Sequence, residues 1–324
     1  MTGPTACSSK QGAASTAVID RSSRIQGALW GLLVGDALGV PYEFHLPGAI
    51  PLAEGIEFDP PAGFHRSHPG VPPGTWSDDG AHALCLLASL LHCNRVDPED
   101  LMRRLSNWYT AGYMAVDGVV FDVGIQTSRA LAAFRAGSPA VEAGPRATGD
   151  NGNGSLMRVL PLALWHRGTD AELVADAQLQ SRVTHGHARA QVCCALYCLW
   201  ARRTLDGESG PWTAAVSALR DNYADGSPEQ AELEFHIRPD DEPSGEGGGY
   251  VVDCLRSARR VLQEPDYASV VRAAIRLGHD TDTTACVAGG IAGIRDGIEG
   301  IPRRWRDALR EPELFLPLLD RLLG

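Results

Sequence analysis

The sequence contains almost no lysine: Lys10 is the single lysine among 29 basic residues, and the others are arginine. Its eight cysteines never occur with Cys-x-x-Cys spacing, which argues against a zinc ribbon or a thioredoxin-like redox motif. No uncharged apolar run approaches the ~20 residues that a membrane helix requires, and residues 1–16 lack the apolar core of a signal peptide. We therefore expect a cytoplasmic protein with reduced thiols and no membrane association.

The chain also lacks the positive charge of a nucleic-acid-binding protein. Its formal net charge is −11 and its isoelectric point is about 5.4, so we expect no stable binding to nucleic acid. Hydrophobic residues make up 44% and charged residues 21% of the 324 positions, which is typical of a globular protein. At ~150 residues per domain, length alone predicts about two domains.

Helical periodicity extends through most of the chain. The segment Asp97–Asp100, for example, combines an N-cap, a proline and acidic first-turn residues. The apolar residues that follow it recur on one helical face: Leu101, Leu105 and Trp108. No stretch alternates between apolar and polar residues as a half-buried strand does, so the sequence predicts an all-α protein.

Three segments depart from the helical pattern. Residues 1–21 are small and polar, and they are predicted to form a disordered tail. Glu54–Trp76 is rich in proline and glycine, and Asp225–Gly249 is acidic and ends in a glycine run, so each is predicted to form a long loop.

Three cysteines, Cys193, Cys194 and Cys198, lie close together in an apolar segment. A core helix is the favoured interpretation, because reduced cysteine behaves as a small buried apolar residue. A metal site is the alternative, although zinc motifs use other spacings.

Two acidic clusters stand directly before apolar helices. The first is Gly74–Gly80 (GTWSDDG), before a helix predicted over Ala81–His92, and the second is Gly278–Thr284 (GHDTDTT), before Ala285–Ile294. Simple capping is one interpretation, because helix N-termini favour acidic residues. Paired carboxylates exceed that need, since two of them ~4 Å apart repel by ~4 kcal/mol at an effective dielectric of ~20. A bound Mg²⁺, Mn²⁺ or Ca²⁺ would reverse this cost, so a cation site is the other interpretation.

Two further motifs are candidates for a site. Asp150–Ser155 (DNGNGS) precedes a helix predicted over Leu156–His166, and it could wrap an anion with backbone N–H groups or form an ordinary turn. Gly35–Phe44 places an aspartate and a glutamate after an apolar helix, where a plain helix end and turn is the alternative.

Taken in order, these motifs resemble the ADP-ribosylglycohydrolase family, which includes the dinitrogenase-reductase-activating glycohydrolases and the animal ADP-ribosylhydrolases. The resemblance extends over nearly the whole chain beyond the tail, and the last motif is the most specific. The matching stretches are GALWGLLVGDALGVPYEF (Gly27–Phe44), GTWSDDGAHALCLLASL (Gly74–Leu90), FDVGIQTSRAL (Phe121–Leu131), NGNGSLMRVLPLAL (Asn151–Leu164), SRVTHGHARA (Ser181–Ala190), GGYVVDCLRSA (Gly248–Ala258) and GHDTDTTACVAGGIAGIRDG (Gly278–Gly297).

The resemblance implies one compact all-α domain over residues 22–324, an orthogonal bundle of many helices with a cleft that holds two Mg²⁺ or Mn²⁺ ions. The implied metal ligands are Ser77, Asp78, Asp79, Asp280, Asp282 and Thr283. The implied catalytic carboxylates are Asp122, Asp79 and Asp280. The implied substrate contacts are Glu43, Gly124, Asn153, Gly154, Ser155, Met157, His185 and Tyr250.

Within that set, the resemblance assigns Asp122 to the distal ribose, the loop 153–157 to the pyrophosphate and Tyr250 to the adenine side. The residues by themselves leave alternatives open. Asp122 could cap a helix over Thr127–Phe134, and His185 could be a satisfied core histidine.

The sequence departs from the family pattern in one metal motif. The usual Thr-Asp-Asp-Thr is Ser-Asp-Asp-Gly here, over Ser77–Gly80. Ser77 keeps the ligand hydroxyl, so metal binding is expected to survive, but Gly80 removes the second hydroxyl.

The resemblance implies a hydrolase that cleaves the glycosidic bond between ADP-ribose and an acceptor through an oxocarbenium-like state, and so reverses ADP-ribosylation. An arginine-type protein acceptor is the first expectation, with serine or a nucleobase as open alternatives. The expected partner is an ADP-ribosylated protein or another ADP-ribose conjugate, and the expected state is a monomer. A catalytically weak ADP-ribose-binding or toxin-immunity protein of the same fold is the second candidate function.

Overall fold

A computed structural model describes residues 19–324, and helices dominate this part of the chain. The described residues form fifteen α-helices: α1 (Arg21–Gly39), α2 (Asp78–Cys93), α3 (Pro98–Ala111), α4 (Ile125–Arg135), α5 (Ala140–Ala143), α6 (Leu160–Trp165), α7 (Asp170–Arg182), α8 (Ala188–Leu205), α9 (Pro211–Asn222), α10 (Pro228–Ala231), α11 (Val251–Val261), α12 (Tyr267–Ile275), α13 (Thr281–Asp296), α14 (Arg303–Ala308) and α15 (Leu316–Leu323).

Short helical turns connect many of these helices. The 3₁₀-helices are Val40–Tyr42, Pro47–Ala49, Ala53–Gly55, Val116–Gly118, Ile298–Gly300 and Pro312–Leu314, and Glu232–Ile237 forms a π-helix. Residues 19–324 contain no β-strand, and their one backbone bridge is an isolated antiparallel pair between Gly152 and Tyr250. The prediction of an all-α protein is confirmed.

Polar side chains explain why several helices begin where they do. Ser77 opens α2 and Asp97 opens α3, each by accepting a backbone N–H of the first turn. Thr169 and Glu172 form a reciprocal capping box at α7. These starts are the part of the fold that local sequence predicts best.

The helix predicted over Leu156–His166 begins later than expected. Helix α6 starts only at Leu160, because Leu156 and Met157 both donate their backbone N–H to the Asn153 carbonyl in tight turns. The glycine-rich motif therefore ends in an irregular turn and not at a helix N-terminus.

The segment Asp225–Gly249 is not the continuous loop that was predicted. Helix α10 and the π-helix occupy its centre, and they bury Leu233 and Ile237 against the rest of the molecule. Two apolar residues four positions apart give this acidic segment one helical face.

Helices α1 and α13 are in direct backbone contact. A Cβ atom at Gly31 would lie 2.4 Å from the carbonyl oxygen of Gly289, and one at Gly35 would lie 2.2 Å from that of Ala285. Glycine at these positions of α1 allows the two helices to approach so closely. We call this contact the glycine seam. Its members are Gly27, Gly31, Gly35 and Gly39 on α1, and Ala285, Gly289 and Gly293 on α13.

Helix α8 crosses the core and carries the three clustered cysteines. Cys193, Cys194 and Cys198 are all buried and unpaired, as the core-helix interpretation predicts. Within residues 19–324, no helix combines the length and apolar character that a membrane crossing needs.

The tail predicted over residues 1–21 lies outside the described residues up to position 18. The last part of it belongs to the fold. Asp20 caps α1 by accepting the Ser23 N–H at 2.7 Å, and Arg21 pairs with Asp206 at 2.7 Å.

Candidate active site

The N-termini of α2 and α13 meet the C-terminal end of α1 around a small cleft. The glycine seam holds α13 against α1, and α2 contacts both helices. The cleft has a volume of about 160 Å³, and carboxylates dominate its wall. Its lining residues are Glu43, Asp78, Asp79, Asp122, Gly124, Gln126, Thr127, Gly152, Asn153, Gly154, Met157, His185, Gly249, Asp280 and Thr283.

Asp36, near the end of α1, organises the start of α2. Its carboxylate accepts the backbone N–H of Ser77 at 2.9 Å and that of Gly80 at 2.8 Å. Complete burial raises the pKa of Asp36 to about 7, against the opposing effect of these two hydrogen bonds. Asp36 and Ser77 thus satisfy the N-terminus of α2, so Asp78 and Asp79 are not needed as caps.

Asp78 and Asp79 are the first two residues of α2, and both are buried. Asp79 Oδ1 accepts a hydrogen bond from the Thr283 hydroxyl at 3.3 Å. Asp79 Oδ2 is buried without a hydrogen-bond partner among the residues that the structure describes. A buried carboxylate oxygen in that state is costly unless a ligand supplies its partner.

Asp280 and Asp282 present a similar arrangement at α13. Asp280 occupies the N-cap position without capping a backbone N–H, and its Oδ2 instead accepts from Asn153 Nδ2 at 2.7 Å. Asp282 Oδ1 accepts the Thr283 N–H at 2.9 Å, while its buried Oδ2 finds no partner in residues 19–324. Simple capping therefore explains neither side chain.

Glu43 enters the cleft from the turn after α1. One of its carboxylate oxygens lies within 4.8 Å of oxygens of Asp280 and Asp282, which are themselves that close to each other. Its Oε2 is 2.6 Å from Nε2 of His68.

Asp122 lies in the loop before α4. One of its carboxylate oxygens is within 4.8 Å of a carboxylate oxygen of Glu43 and of a ring nitrogen of His68. Helix α4 begins after Gly124 with no side-chain cap. The alternative of a capping Asp122 is therefore wrong.

Burial makes the ionised state of these carboxylates costly. It is the main cause that raises the pKa of Glu43 to about 10, and the neighbouring Asp122 carboxylate adds to the rise. Burial followed by repulsion from other carboxylates also raises the pKa of Asp78, Asp79, Asp122 and Asp282.

The cleft fits a hard divalent cation. Carboxylate and hydroxyl oxygens surround it, and two buried carboxylate oxygens, Asp79 Oδ2 and Asp282 Oδ2, lack any partner within the described chain. Such oxygens are ligands that Mg²⁺ and Mn²⁺ favour. Positive charge at this position would offset both the repulsion and the unmet hydrogen bonding.

The Gly80 departure has a steric cause. A Cβ atom at this position would lie 2.8 Å from Leu33 Cδ2 and 2.8 Å from the Trp76 ring. The indole of Trp76 thus fills the space that a second hydroxyl-bearing side chain would need.

The loop Asn151–Ser155 is anchored by backbone pairing. Asn153 donates its N–H to the Gly249 carbonyl at 3.0 Å, and Val251 donates to the Asn151 carbonyl at 2.9 Å. The N–H group of Gly154, which lines the cleft, meets no acceptor among residues 19–324, so it remains available to an anion. The Asn153 N–H, which sequence reasoning assigned to that role, is already engaged.

Four of the residues singled out from the sequence do not line the cleft. Ser77 and Asp282 are buried, and Ser77 caps α2. The Ser155 hydroxyl contacts that of Ser181 at 2.8 Å in the interior. The half-exposed Tyr250 uses its hydroxyl to accept a hydrogen bond from Arg189 at 3.0 Å.

His185 does line the cleft. Its Nδ1 is 2.8 Å from the Thr184 hydroxyl. Burial, with a smaller effect of the Arg158 charge, lowers the pKa of His185 to about 3. The imidazole is therefore neutral and offers Nε2 to the cleft side.

Sequence reasoning assigned no individual role to five residues of this region: Asp36, Gln126, Thr127, Gly152 and Gly249. All of them stand inside or beside the quoted motifs. Their roles depend on tertiary contacts, which the local sequence does not reveal. Nothing near Asp36 in the sequence, for example, indicates that it binds the start of a helix 41 positions away.

A larger cavity of about 510 Å³ lies elsewhere, at the C-terminal ends of α8, α11 and α13. It contains none of the clustered carboxylates. Trp200 and Trp212 form its aromatic wall, and Arg24 and Arg295 donate to backbone carbonyls beside it. Cavity volume therefore does not identify the carboxylate cleft, which is smaller at about 160 Å³.

Comparison with known proteins identifies relatives of this chain. A family model described as ADP-ribosylglycohydrolase matches residues 17–324. The chain is similar to the ADP-ribosylarginine hydrolase Tri1 of Pseudomonas putida (strain GB-1), with 30% identity over 87% of this chain and 73% of that protein. It is also similar to the ADP-ribosyl-dinitrogen reductase glycohydrolase of Rhodospirillum rubrum, with 29% identity over 88% of this chain and 90% of that protein.

One solved structure gives the same result in three dimensions. It is described as an ADP-ribosylglycohydrolase-related protein complex and superposes with a TM-score of 0.75 at 32% identity. The match covers 94% of this chain and 99% of the other.

Proposed function

The chain belongs to the ADP-ribosylglycohydrolase family, and from that premise we propose that it releases ADP-ribose from modified arginine side chains with the help of two divalent cations. Glycohydrolase activity is common to the named relatives. The arginine acceptor and the metal requirement are the specific parts of the proposal.

The observation that carries the metal requirement is the pair of unpartnered buried oxygens, Asp79 Oδ2 and Asp282 Oδ2, on two adjoining helix N-termini. The residues that would hold the cations are Ser77, Asp78, Asp79, Asp280, Asp282 and Thr283. When bound, such cations supply positive charge to ribose hydroxyls and lower the pKa of a coordinated water.

Hydrolysis breaks the bond between the anomeric carbon and the acceptor nitrogen. Water adds its oxygen to that carbon, and one of its protons ends on the departing guanidine. Asp122, whose pKa is raised by burial, stands at the cleft wall where it could take a proton from the water. Asn153 holds Asp280 in place by donating to its Oδ2.

The remaining lining residues would bind and orient the ADP-ribose. The free N–H group of Gly154 suits the pyrophosphate, and the buried Ser155 would support this loop from the interior. The neutral His185 and Met157 belong to the same cleft wall, as do Gly124 and Asp122. Tyr250, outside the cleft lining, would contact the adenine side.

Arginine is the acceptor we propose because the relatives of this chain include one named for ADP-ribosylarginine. Serine or a nucleobase remains a test substrate. The second candidate, a protein that binds ADP-ribose without cleaving it, is not favoured by any contact in the cleft.

The test is release of ADP-ribose from arginine-, serine- and nucleobase-linked substrates with Mg²⁺ or Mn²⁺. We expect release from arginine that stops with EDTA and in Asp282→Ala, since that variant removes a buried oxygen of the cation cleft. Asp307→Ala, on the exposed face of α14, should retain wild-type activity. Undiminished release by Asp282→Ala in EDTA would refute the metal requirement, and tight ADP-ribose binding without release from any substrate would favour the second candidate.

A further inference from the structure

Three aromatic rings contact one another next to Glu43, a residue of the cleft wall. The ring of His68 lies between those of Phe44 and Phe121, with centroid separations of 5.7 and 5.1 Å. We call these three residues the aromatic rim. Centroid distances in this range are typical of interacting aromatic pairs.

The aromatic rim extends from a buried carboxylate to the solvent-exposed surface. Phe44 is 70% exposed, although the residue before it, Glu43, is only 4% exposed. Phe121 and His68 are half-buried. A large apolar ring held in water beside a buried carboxylate contributes little to the core, so its position calls for another explanation.

The backbone of the rim is strained. Phe44 has a φ of 63°, His68 a φ of 49°, and Asp122, next to Phe121, a φ of 53°. Residues with side chains occupy this left-handed region rarely, and the strain persists only where surrounding contacts enforce it. Strain concentrated in this way is characteristic of functional sites.

Hydrogen bonds hold the strained segments in place. Phe44 donates its N–H to the His279 carbonyl at 2.6 Å, which ties the rim to the loop that carries Asp280. Ser67 donates its N–H to the Pro41 carbonyl at 2.9 Å, and its hydroxyl to the Glu43 carbonyl. The rings are therefore preorganised next to the carboxylates.

Aromatic faces and carboxylates together suit one kind of group. A guanidinium is planar and always charged, it stacks on aromatic rings, and its N–H fork pairs with a carboxylate. Glu43 and Asp122 supply carboxylates within 4.8 Å of the His68 ring nitrogen. A serine hydroxyl has no face to stack, and a neutral base has no charge to pair.

We propose that the aromatic rim of Phe44, His68 and Phe121 is the acceptor subsite, which recognises the guanidinium of an ADP-ribosylated arginine by stacking while Glu43 and Asp122 pair with its N–H groups. This inference rests on the proposed function and adds the residues that select the acceptor. His68 also serves as a positioning residue, because its Nε2 holds Glu43 Oε2 at 2.6 Å.

The test compares Phe44→Leu and the double variant Phe44→Leu/Phe121→Leu with wild type. Leucine keeps apolar volume but removes the aromatic face. We expect KM for an ADP-ribosylated arginine peptide to rise roughly tenfold in the double variant, while inhibition by free ADP-ribose stays unchanged. Phe44→Tyr keeps an aromatic face and should therefore retain the wild-type KM. Leu46 is an exposed apolar residue outside the rim, so Leu46→Ala should leave KM unchanged.

His68 is tested by its two separate roles. His68→Phe keeps a ring but loses the bond to Glu43, so it should lower kcat with little change in KM. A structural role alone would move thermal stability and every kinetic constant together.

The outcomes separate the two proposals. An unchanged KM in the double variant, or an equal weakening of free ADP-ribose, overturns the acceptor subsite while the arginine hydrolase assignment stands. Failure of wild type to release ADP-ribose from arginine overturns the proposed function and the subsite with it.

Discussion

Individual residues of the cleft are held by contacts that come from distant parts of the chain. Trp76 illustrates this: its indole N–H donates to the Met114 carbonyl at 3.0 Å, and its ring face covers Gly80. The missing hydroxyl at position 80 is therefore linked to a tryptophan four residues earlier. Side chains at the two positions compete for one volume.

We predict that Gly80→Thr destabilises the protein, although it restores the hydroxyl of the family motif. The new Cβ would lie 2.8 Å from the Trp76 ring, and overpacking of this kind costs about 2 kcal/mol of unfolding free energy. Urea denaturation measures the loss.

The control for this prediction is Gly70→Thr, because a Cβ at Gly70 meets no atom within 4 Å. Adding Trp76→Leu to Gly80→Thr should cost less than the sum of the two single changes, since it opens the contested space. Additive losses would contradict the steric explanation.

Sequence predicted most lining residues but not the detailed role of each. Asp78, Asp79 and Asp280 were found because paired carboxylates are excessive for capping. Ser155 was placed at the pyrophosphate, but its hydroxyl turns inward to Ser181. Motif position fixes which backbone segment reaches the cleft, whereas the direction of a side chain depends on packing partners far away in sequence.

At the scale of elements, the glycine seam sets the geometry of the cleft. Because α1 and α13 touch through their backbones, the end of α1 comes close enough for the Gly39 carbonyl to accept the Thr281 hydroxyl at 2.8 Å. A wider helix spacing of 8–10 Å is usual when side chains separate the axes. The seam thus determines the distance between Asp36 and the α13 aspartates.

We predict that Gly31→Ala weakens both the fold and the activity. Alanine is the better helix former by about 1 kcal/mol, but here its Cβ would lie 2.4 Å from the Gly289 oxygen. We therefore expect a net destabilisation of about 2–3 kcal/mol, measured by chemical denaturation, with a parallel loss of cation-dependent activity.

Gly48→Ala provides the matched control, because its Cβ would meet nothing within 4 Å. It should leave the free energy of unfolding unchanged or raise it slightly, since it reduces the conformational freedom of the unfolded chain. A stable Gly31→Ala protein with wild-type activity would show that the seam tolerates side chains.

The sequence predicts which segments form helices, but it does not predict which helices pack against each other. Periodicity and capping residues in the sequence alone predict α3, α7 and α13. The four-residue spacing of glycines in α1 is visible as well, but it becomes informative only beside the Ala285, Gly289 and Gly293 spacing of α13. Pairing two surfaces requires knowing which helices meet.

For the molecule as a whole, the negative charge is distributed unevenly between the interior and the surface. The net charge is −11, and seven carboxylates crowd around the cleft: Asp36, Glu43, Asp78, Asp79, Asp122, Asp280 and Asp282. This part of the negative charge lies inside the fold. It opposes folding unless protons or cations neutralise it.

We predict that Mg²⁺ or Mn²⁺ stabilises the folded protein. A ligand that binds only the native state at 100 times its Kd contributes about 2.7 kcal/mol, which corresponds to a rise in Tm of roughly 5 °C for a chain of this size. Differential scanning calorimetry at constant ionic strength measures it.

The effect should vanish with EDTA and shrink strongly in Asp282→Asn, which lacks one charge of the cluster. Sodium at equal ionic strength should give no comparable rise. An equal rise in Asp282→Asn and wild type would place the stabilising cation outside the cleft.

The glycine seam also dictates when the cleft can exist during synthesis. Its two sides are far apart in sequence, since Gly39 and Thr281, whose carbonyl and hydroxyl are hydrogen-bonded, are separated by 242 positions. Closing a loop of that length costs about 5 kcal/mol in chain entropy. Only the completed packing of α1 against α13 offsets this cost. A nascent chain that has not yet released α13 from the ribosome therefore carries α1 with its glycine face uncovered, and the catalytic cleft cannot form until α13 has emerged.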